Sequence, residues 1–278
     1  MHLAQELVAY AERLATAPDV YLKVRAALDD DRVSSPEVAD IVSTDPALTA
    51  ALLRQANSAY YGYARKIERV DRAVSLVGRD HMYELVLDTS IASVFPGIAP
   101  QRMDMKRFWQ DSLRRALLAR SVAARIEDID TERLFVAALL ADLGHLVMYV
   151  AVPDLMATVL DAQAAGGESL ADVERRMVGC NFAEVGAALS SSWHLPVSYG
   201  VLIGSQLNPT AAGEYARQAA LLNIVGAVSA HAGGTPASCY PLHPAAAGIA
   251  GIEPEAVEAT LTFVKPQLDL MFAVFSPG

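Results

Sequence analysis

The chain has 278 residues, of which 53% are hydrophobic and 19% are charged, with a formal net charge of -10. This length suits one large domain or two small ones, and the high hydrophobic content excludes a disordered chain. The acidic balance argues against a general binder of nucleic acid or of anionic membranes, because both need a basic surface.

Helical periodicity dominates the first third of the chain. Ser34 and Glu37 have the spacing of a capping box, which predicts the start of a helix. Asp45, followed by proline, marks another helix start. Residues 70–77 predict a short helix that stops at Gly78, and another helix is expected soon after it. No segment here shows sustained β alternation.

A stretch rich in proline and glycine, residues 95–102, indicates a subdomain boundary. Beyond it the pattern predicts long helices, over residues 108–126, 131–150, 153–165, 169–178, 182–193 and 211–232. Residues 233–244 are predicted to form a loop. The last helix carries apolar side chains on one face, and Pro266 is expected to kink or split it.

These patterns predict an all-α protein in three parts. Residues 1–98 form an N-terminal helical subdomain, residues 99–210 a helical core, and residues 211–278 a set of C-terminal helices that pack on the core. The high hydrophobic content predicts a thick helical core whose centre is largely apolar.

The most hydrophobic stretch, residues 134–152, is long enough to span a bilayer. It carries Asp142 and His145 near its middle, where a charge is costly in hydrocarbon. The N-terminus lacks the features of a signal peptide, so we expect a soluble protein with no membrane partner. Cys180 and Cys239 have no metal-binding spacing, which favours reduced thiols in a cytoplasmic protein, and Cys180 is not expected to be a nucleophile.

Four blocks of sequence resemble the HDOD family of bacterial signalling domains. They are residues 45–62 (DPALTAALLRQANSAYYG), 67–78 (IERVDRAVSLVG), 134–150 (LFVAALLADLGHLVMYV) and 179–196 (GCNFAEVGAALSSSWHLP). The blocks stand in the family's order and spacing. The resemblance implies a multi-helix bundle related to the HD-domain metal-dependent phosphohydrolases, with an N-terminal helical subdomain.

In the catalytic relatives, the resemblance implies, a His, a His-Asp pair and a later Asp hold metals that activate water. Here Asp111 is the best match to the first His, and Ala141-Asp142 replaces the pair. Residues 221–234, where the last Asp is expected, contain no acidic residue. Phe182 stands where the family has a further His. So few ligands imply no metal, no cofactor and no ancestral catalysis.

Each surviving polar residue has a structural interpretation beside the functional one. We expect Asp142 to accept hydrogen bonds from a neighbouring helix end, with a vestigial metal ligand as the alternative. His145 shares a helical face with Asp142 and forms either a local hydrogen bond or part of a residual metal pair. His194 is expected to cap a helix end. Ser205-Gln206 corresponds roughly to a His-His pair that the resemblance places after Trp-Leu-Pro.

The turn that ends the first block is characteristic of the family. Its marked residues are Asp45, Asn57, Ser58, Tyr60, Tyr61 and Gly62. Asn and Gly adopt left-handed backbone conformations that end helices. We expect the two tyrosines to pack inside the protein, with an exposed interaction surface as the alternative.

Three functions compete at this point. The leading hypothesis is a non-catalytic signalling module that binds other signalling proteins or a second copy of itself. The alternative is a divergent metal-dependent phosphohydrolase with a residual site around Asp111, Asp142 and His145. A third is a pseudoenzyme whose degenerate pocket binds a small ligand. The acidic helix that follows Gly78 argues against nucleic-acid recognition in all three.

Overall fold

The computed structural model of the chain describes residues 2–12, 19–30, 32–42, 52, 55–56, 67, 70–94, 104–192 and 197–275. Every regular element in these ranges is helical, so the prediction of an all-α fold is confirmed. The contacts divide the chain into two units, residues 1–13 with 98–268 and residues 14–97 with 269–278.

The smaller unit contains α2 (Asp19–Asp29), α3 (Ser35–Val42) and α4 (Val70–Val94). At the start of α3, the amide and hydroxyl of Ser34 both donate to the carboxylate of Glu37, at 2.8 and 2.7 Å. Glu37 therefore reaches back to the helix start, as the capping-box spacing predicts. In α4 the backbone leaves helical geometry at Gly78 (φ 78°, ψ 164°), which confirms the predicted break.

Arg79 ties these three helices together. Its guanidinium donates to the carbonyl of Leu28 at 2.8 Å and to that of Val33 at 2.9 Å. Leu28 lies in the last turn of α2, where carbonyls lack intrahelical partners, and Val33 lies in the connection to α3. The break at Gly78 thus directs the next side chain to those acceptors.

The larger unit holds the remaining helices. They are α1 (Ala4–Glu12), α5 (Met105–Ala123), α6 (Thr131–Leu140), α7 (Leu143–Ala151), α8 (Pro153–Ala164), α9 (Leu170–Met177), α10 (Phe182–Ser192), α11 (Val197–Gly204), α12 (Ala216–Ala232), α13 (Ala246–Ala250) and α14 (Pro254–Phe275), of which residues 254–268 belong to this unit. Side-chain oxygens of Asp104, Asp130 and Ser169 cap the starts of α5, α6 and α9.

The predicted extents of two helices are wrong: one begins later than expected, and the other is divided in two. The helix expected from residue 211 begins only at Ala216, because two short 3-10 turns, Pro209–Ala211 and Gly213–Tyr215, precede it. The helix expected over residues 131–150 is two helices, α6 and α7, with a turn at Ala141-Asp142.

The segment across that turn is the centre of the larger unit. Arg133–Ala151 is long and apolar enough to span a membrane, but 83% of its apolar window is buried inside the fold. All side chains of residues 137–149 are buried. This segment therefore meets other helices along its length instead of lipid.

The final helix, α14, continues through Pro266, so the expected split does not occur. Proline removes one backbone donor, which leaves the carbonyl four residues earlier without its partner. That carbonyl belongs to Thr262, and both residues lie on the exposed face. Water can therefore satisfy the carbonyl without ending the helix.

The helices α7 and α10 cross in close contact in the core. The crossing uses Gly144 and Gly186, where a Cβ on Gly144 would overlap the carbonyl oxygen of Phe182 and lie 2.8 Å from the amide nitrogen of Gly186. Glycine at residue 144 lets the two backbones touch, and this contact positions the first turn of α10 beside α7.

We expect Gly144→Ala to lower the free energy of unfolding by about 3 kcal/mol, because the added methyl group meets backbone that cannot move aside. Urea denaturation measures the effect. Gly248→Ala is the matched control, since a Cβ there meets nothing within 4 Å, and alanine is the better helix former. Equal stability of the two variants would contradict the proposed close contact.

Candidate functional site

A buried ion pair joins α5 to the start of α7. Arg115 Nη1 lies 2.6 Å from Asp142 Oδ1, and their side chains are only 2% and 6% exposed. Asp142 occupies the position before α7 but makes no side-chain capping bond. The expectation that Asp142 accepts from a helix end is therefore wrong, because its partners are side chains distant in sequence.

The second oxygen of Asp142 is also occupied. The hydroxyl of Tyr240 donates to Asp142 Oδ2 at 2.7 Å. The guanidinium carbon of Arg115 lies 4.7 Å from the centre of the Tyr240 ring, within the range of a cation–π contact. Arg115 and Tyr240 together bind both oxygens of a carboxylate that is almost entirely buried.

These contacts fix the protonation states of the group. Burial acts to raise the pKa of Asp142, but the charge and hydrogen bond of Arg115, together with smaller contributions from His145 and Tyr240, hold that pKa below its ordinary value. Burial also acts to lower the pKa of Arg115, which its interactions with Asp142 and Tyr240 together more than offset. Burial, with Asp142 beside the hydroxyl, raises the pKa of Tyr240. At neutral pH the cluster is a charged pair with a neutral phenol.

A second buried pair lies next to the first. His145 Nδ1 is 3.1 Å from Glu174 Oε1, and their side chains are 7% and 0% exposed. The separation suits an ion pair, although Glu174 Oε1 lacks an aligned hydrogen bond. The other carboxylate oxygen accepts from the amide of Phe182 at 2.9 Å, at the start of α10. His145 therefore pairs with Glu174, which corrects the expectation of a local bond to the Asp142 carboxylate.

Phe182 packs against both buried groups. Its ring stacks on His145 with centroids 4.1 Å apart and 16° between the planes, and it meets the Tyr240 ring edge-on at 5.8 Å. Phe182 stands where the family resemblance places a histidine. An aromatic ring at this position packs against the pairs but provides no metal ligand.

The loop at residues 233–245 holds Tyr240 in place. Asn223 donates to the carbonyl of Pro241 at 3.2 Å, and the amide of His243 donates to Asn223 at 2.8 Å. Asn223 also donates to the carbonyl of Gln206 at 2.8 Å, and Gln206 donates to the carbonyl of Ala141 at 2.8 Å. Amide side chains thus connect the loop to the turn that presents Asp142.

A small cavity adjoins the cluster. Its volume is about 160 Å³, and Asp111, Asp142 and His145 all line it. Asp111 pairs with Arg114 at 2.5 Å and lies 3.7 Å from Arg107, with about a quarter of its side chain exposed. The three residues named from the sequence therefore share one cavity, but each has its own counter-charge.

These residues do not fit the divalent metal ion that catalytic relatives would imply. Within the described ranges, no group of three or more His, Cys, Asp or Glu side chains is placed to hold a metal. Both oxygens of Asp142 are engaged, and the charge of Arg115 stands where a cation would have to approach. A metal site needs several free oxygen or nitrogen ligands around one point.

Of the other residues named from the sequence, some lie outside the described ranges, and the two cysteines lie within them. The family-characteristic turn, with Asp45, Asn57, Ser58, Tyr60, Tyr61 and Gly62, lies outside the described residues, as does His194. Cys180 and Cys239 carry free thiols, and burial raises the pKa of Cys180 to about 11, which disfavours a nucleophilic thiolate.

Three central residues were missed by the sequence analysis, namely Arg115, Glu174 and Tyr240. For Arg115 a signal exists, since it stands three residues after Ser112 and four before Ala119, both buried on the inner face of α5. A charge on a buried helical face requires a partner inside the fold. Tyr240 lies in a loop, where no periodicity marks a side chain that points inward.

Comparison with known proteins finds matches in sequence and in fold. The HDOD domain profile matches residues 14–209. An uncharacterized protein from Treponema pallidum (strain Nichols) is 25% identical over 198 residues, which cover 70% of this chain and 37% of that protein. The chain thus spans little more than a third of the length of this relative.

Three solved structures share the fold. A candidate phosphohydrolase from Shewanella amazonensis SB2B matches with a TM-score of 0.78 at 24% identity, over 99% of both chains. An HDOD domain protein of unknown function from Geobacter sulfurreducens has a TM-score of 0.75 at 23% identity, over 95% of this chain and 96% of its own. A candidate signal transduction protein from Marinobacter aquaeolei VT8 has a TM-score of 0.78 at 20% identity, over 98% of this chain and 60% of its own. At these identities, the likeness establishes the fold alone.

The His145–Glu174 pair predicts a pH dependence of stability. Burial acts to lower the pKa of His145, but the interactions with Glu174 and the charge of Asp142 together more than offset it, so the pKa in the folded chain lies above the ordinary 6.5. The stabilisation is complete below pH 6.5 and is lost as the pH rises through the folded value. One such group changes the free energy of unfolding by at most about 1.4 kcal/mol per pH unit.

Urea unfolding of the wild type and of Glu174→Gln, measured from pH 6 upward, tests this expectation. In Glu174→Gln, the free energy of unfolding should fall less steeply than in the wild type as the pH rises. Glu184→Gln is the control, because Glu184 is paired with Arg175 at the surface and should leave the decline unchanged. An unchanged pH profile in Glu174→Gln would show that the pair does not contribute to the dependence.

Proposed function

This chain belongs to the HDOD domain family, and from that premise we propose that it is a non-catalytic signalling module that acts by binding other proteins. Membership of the family supports a regulatory role at the level of the family. The absence of catalysis and the mode of action through protein partners are the finer parts of the proposal.

The observation that carries the proposal is the pairing of Asp142. Metal-dependent hydrolysis needs an ion with an open position for water, held by ligands that are free to bind it. Asp142 is instead engaged by Arg115 and Tyr240 at 2.6 and 2.7 Å. Each oxygen of this carboxylate already has a partner, and one of the two partners is a cation, which disfavours binding of a metal ion.

The size of the cavity beside Asp142 disfavours a small ligand at that place. Sites for drug-sized ligands and cofactors typically enclose about 300 to 1,000 Å³, whereas the cavity beside Asp142 has about 160 Å³. A larger groove of about 770 Å³ lies elsewhere on the same unit, and no residue of the two buried pairs lines it. Two of the residues that line it, Leu3 and Val197, are large hydrophobic side chains 64% and 79% exposed.

We further propose a cytoplasmic location and partners that are neither nucleic acid nor membrane. The two cysteines are free thiols, which suits a reducing compartment. The net charge of -10 does not suit an anionic partner surface. The proposed partners are other signalling proteins, and a second copy of the chain is among them.

One experiment addresses the enzymatic alternative, a phosphohydrolase that uses Asp111, Asp142 and His145. Purified chain is assayed with Mn²⁺, Mg²⁺ or Fe²⁺ against bis-p-nitrophenyl phosphate and nucleotides. We expect no metal-dependent turnover. Metal-dependent turnover that falls at least about tenfold in Asp111→Asn would contradict the proposal, since that substitution leaves the Arg115–Asp142 pair intact.

Partner binding is tested on the same purified chain. Light scattering after size exclusion reports self-association, and reciprocal pull-downs followed by titration of purified components report complexes with other proteins. We expect at least one saturable complex. A monomer with no partner in reciprocal pull-downs would contradict the proposed mode of action.

A further inference from the structure

The guanidinium of Arg115 occupies a closely defined place in the core. One edge meets Asp142 at 2.6 Å, and one face lies over the ring of Tyr240 at 4.7 Å. On another side it approaches the backbone of α12, where a Cβ on Gly226 would lie 4.0 Å from Nε. A carboxylate edge, an aromatic face and a glycine backbone therefore surround a flat cation.

Charge makes this place specific for a cation. The buried carboxylate of Asp142 has Arg115 as its bonded counter-charge, while the nearby His145 is paired with Glu174. A buried carboxylate without a counter-charge is strongly unfavourable. If the guanidinium is removed and the fold remains, the vacated volume retains a negative charge next to the ring of Tyr240.

The vacated volume would also join the existing cavity. Arg115 itself lines that cavity of about 160 Å³, together with Asp111 and Asp142. A free guanidinium ion is small enough to enter such a space, and its planar shape matches both a carboxylate edge and an aromatic face. Ammonium and metal ions have no flat face to place on the ring.

We propose that Arg115 is the tethered occupant of a guanidinium-binding site, and that free guanidinium binds there when the side chain is shortened. The site recognises its cation through Asp142 and Tyr240. This inference does not depend on whether the chain binds a protein partner or lacks catalytic activity, because it concerns only what fills the core.

The test is chemical rescue of Arg115→Ala, and thermal unfolding measures it. The melting temperature is recorded with guanidinium chloride up to about 20 mM and with NaCl at the same concentrations. The variant should melt below the wild type, and guanidinium should raise its melting temperature saturably. At five times the dissociation constant the rise is about 2 °C for a chain of this size. NaCl should give no comparable rise.

Arg114→Ala is the matched control. Arg114 is the neighbouring residue on α5 and pairs with the partly exposed Asp111. Its loss opens a site that water can reach, so guanidinium should not stabilise that variant. Equal stabilisation of the two variants would overturn the proposal, because it would show a general effect of the ion.

Two further measurements keep the proposal decisive. If Arg115→Ala is unfolded without additive, guanidinium but not sodium should restore the near-ultraviolet circular dichroism of the folded chain. If Mn²⁺ stabilises the variant more than guanidinium does, the site recognises a metal and not a planar cation, and the proposal is wrong. If guanidinium neither raises the melting temperature of a folded variant nor restores the circular dichroism of an unfolded one, the proposal is also wrong.

Discussion

The buried ion pair between Arg115 and Asp142 is the constraint on which the centre of the larger unit depends. A carboxylate that is 6% exposed needs a counter-charge within the fold. Meeting that need brings α5 beside the turn between α6 and α7, and it brings Tyr240 inward from its loop. The two glycines at the crossing of α7 and α10 then allow Phe182 to pack beside the pair.

The polar interior is arranged as two pairs, Arg115 with Asp142 and His145 with Glu174. The ring of Phe182 packs against His145 of one pair and against Tyr240, which is bonded to Asp142 of the other. In a metal-dependent enzyme, buried carboxylates and imidazoles are kept available for an ion and a water molecule. Here the same kinds of side chain satisfy one another. That arrangement favours a domain whose core supports its shape and whose surface performs its function.

The sequence predicted the helical class, the break at Gly78 and the capping role of Glu37, because these depend on neighbours within a few residues. It also indicated Asp111, Asp142 and His145, which line one cavity. It did not predict the turn at Ala141-Asp142 or the partners of Asp142. The centre of the core was expected to be largely apolar, whereas it holds two buried polar pairs, Arg115 with Asp142 and His145 with Glu174. Pairing across 27 and 98 residues leaves no periodic pattern for a single sequence to display.

The central claim is that Arg115 and Asp142 stabilise the core as a coupled pair, and a double-mutant cycle tests it most directly. The free energy of unfolding is measured for the wild type, Arg115→Met, Asp142→Leu and the double variant. Each single substitution should cost about 3 to 5 kcal/mol, because it leaves one buried charge unpaired. The double variant should recover most of that loss, with a coupling energy above about 2 kcal/mol. Additive losses in the double variant would contradict the account.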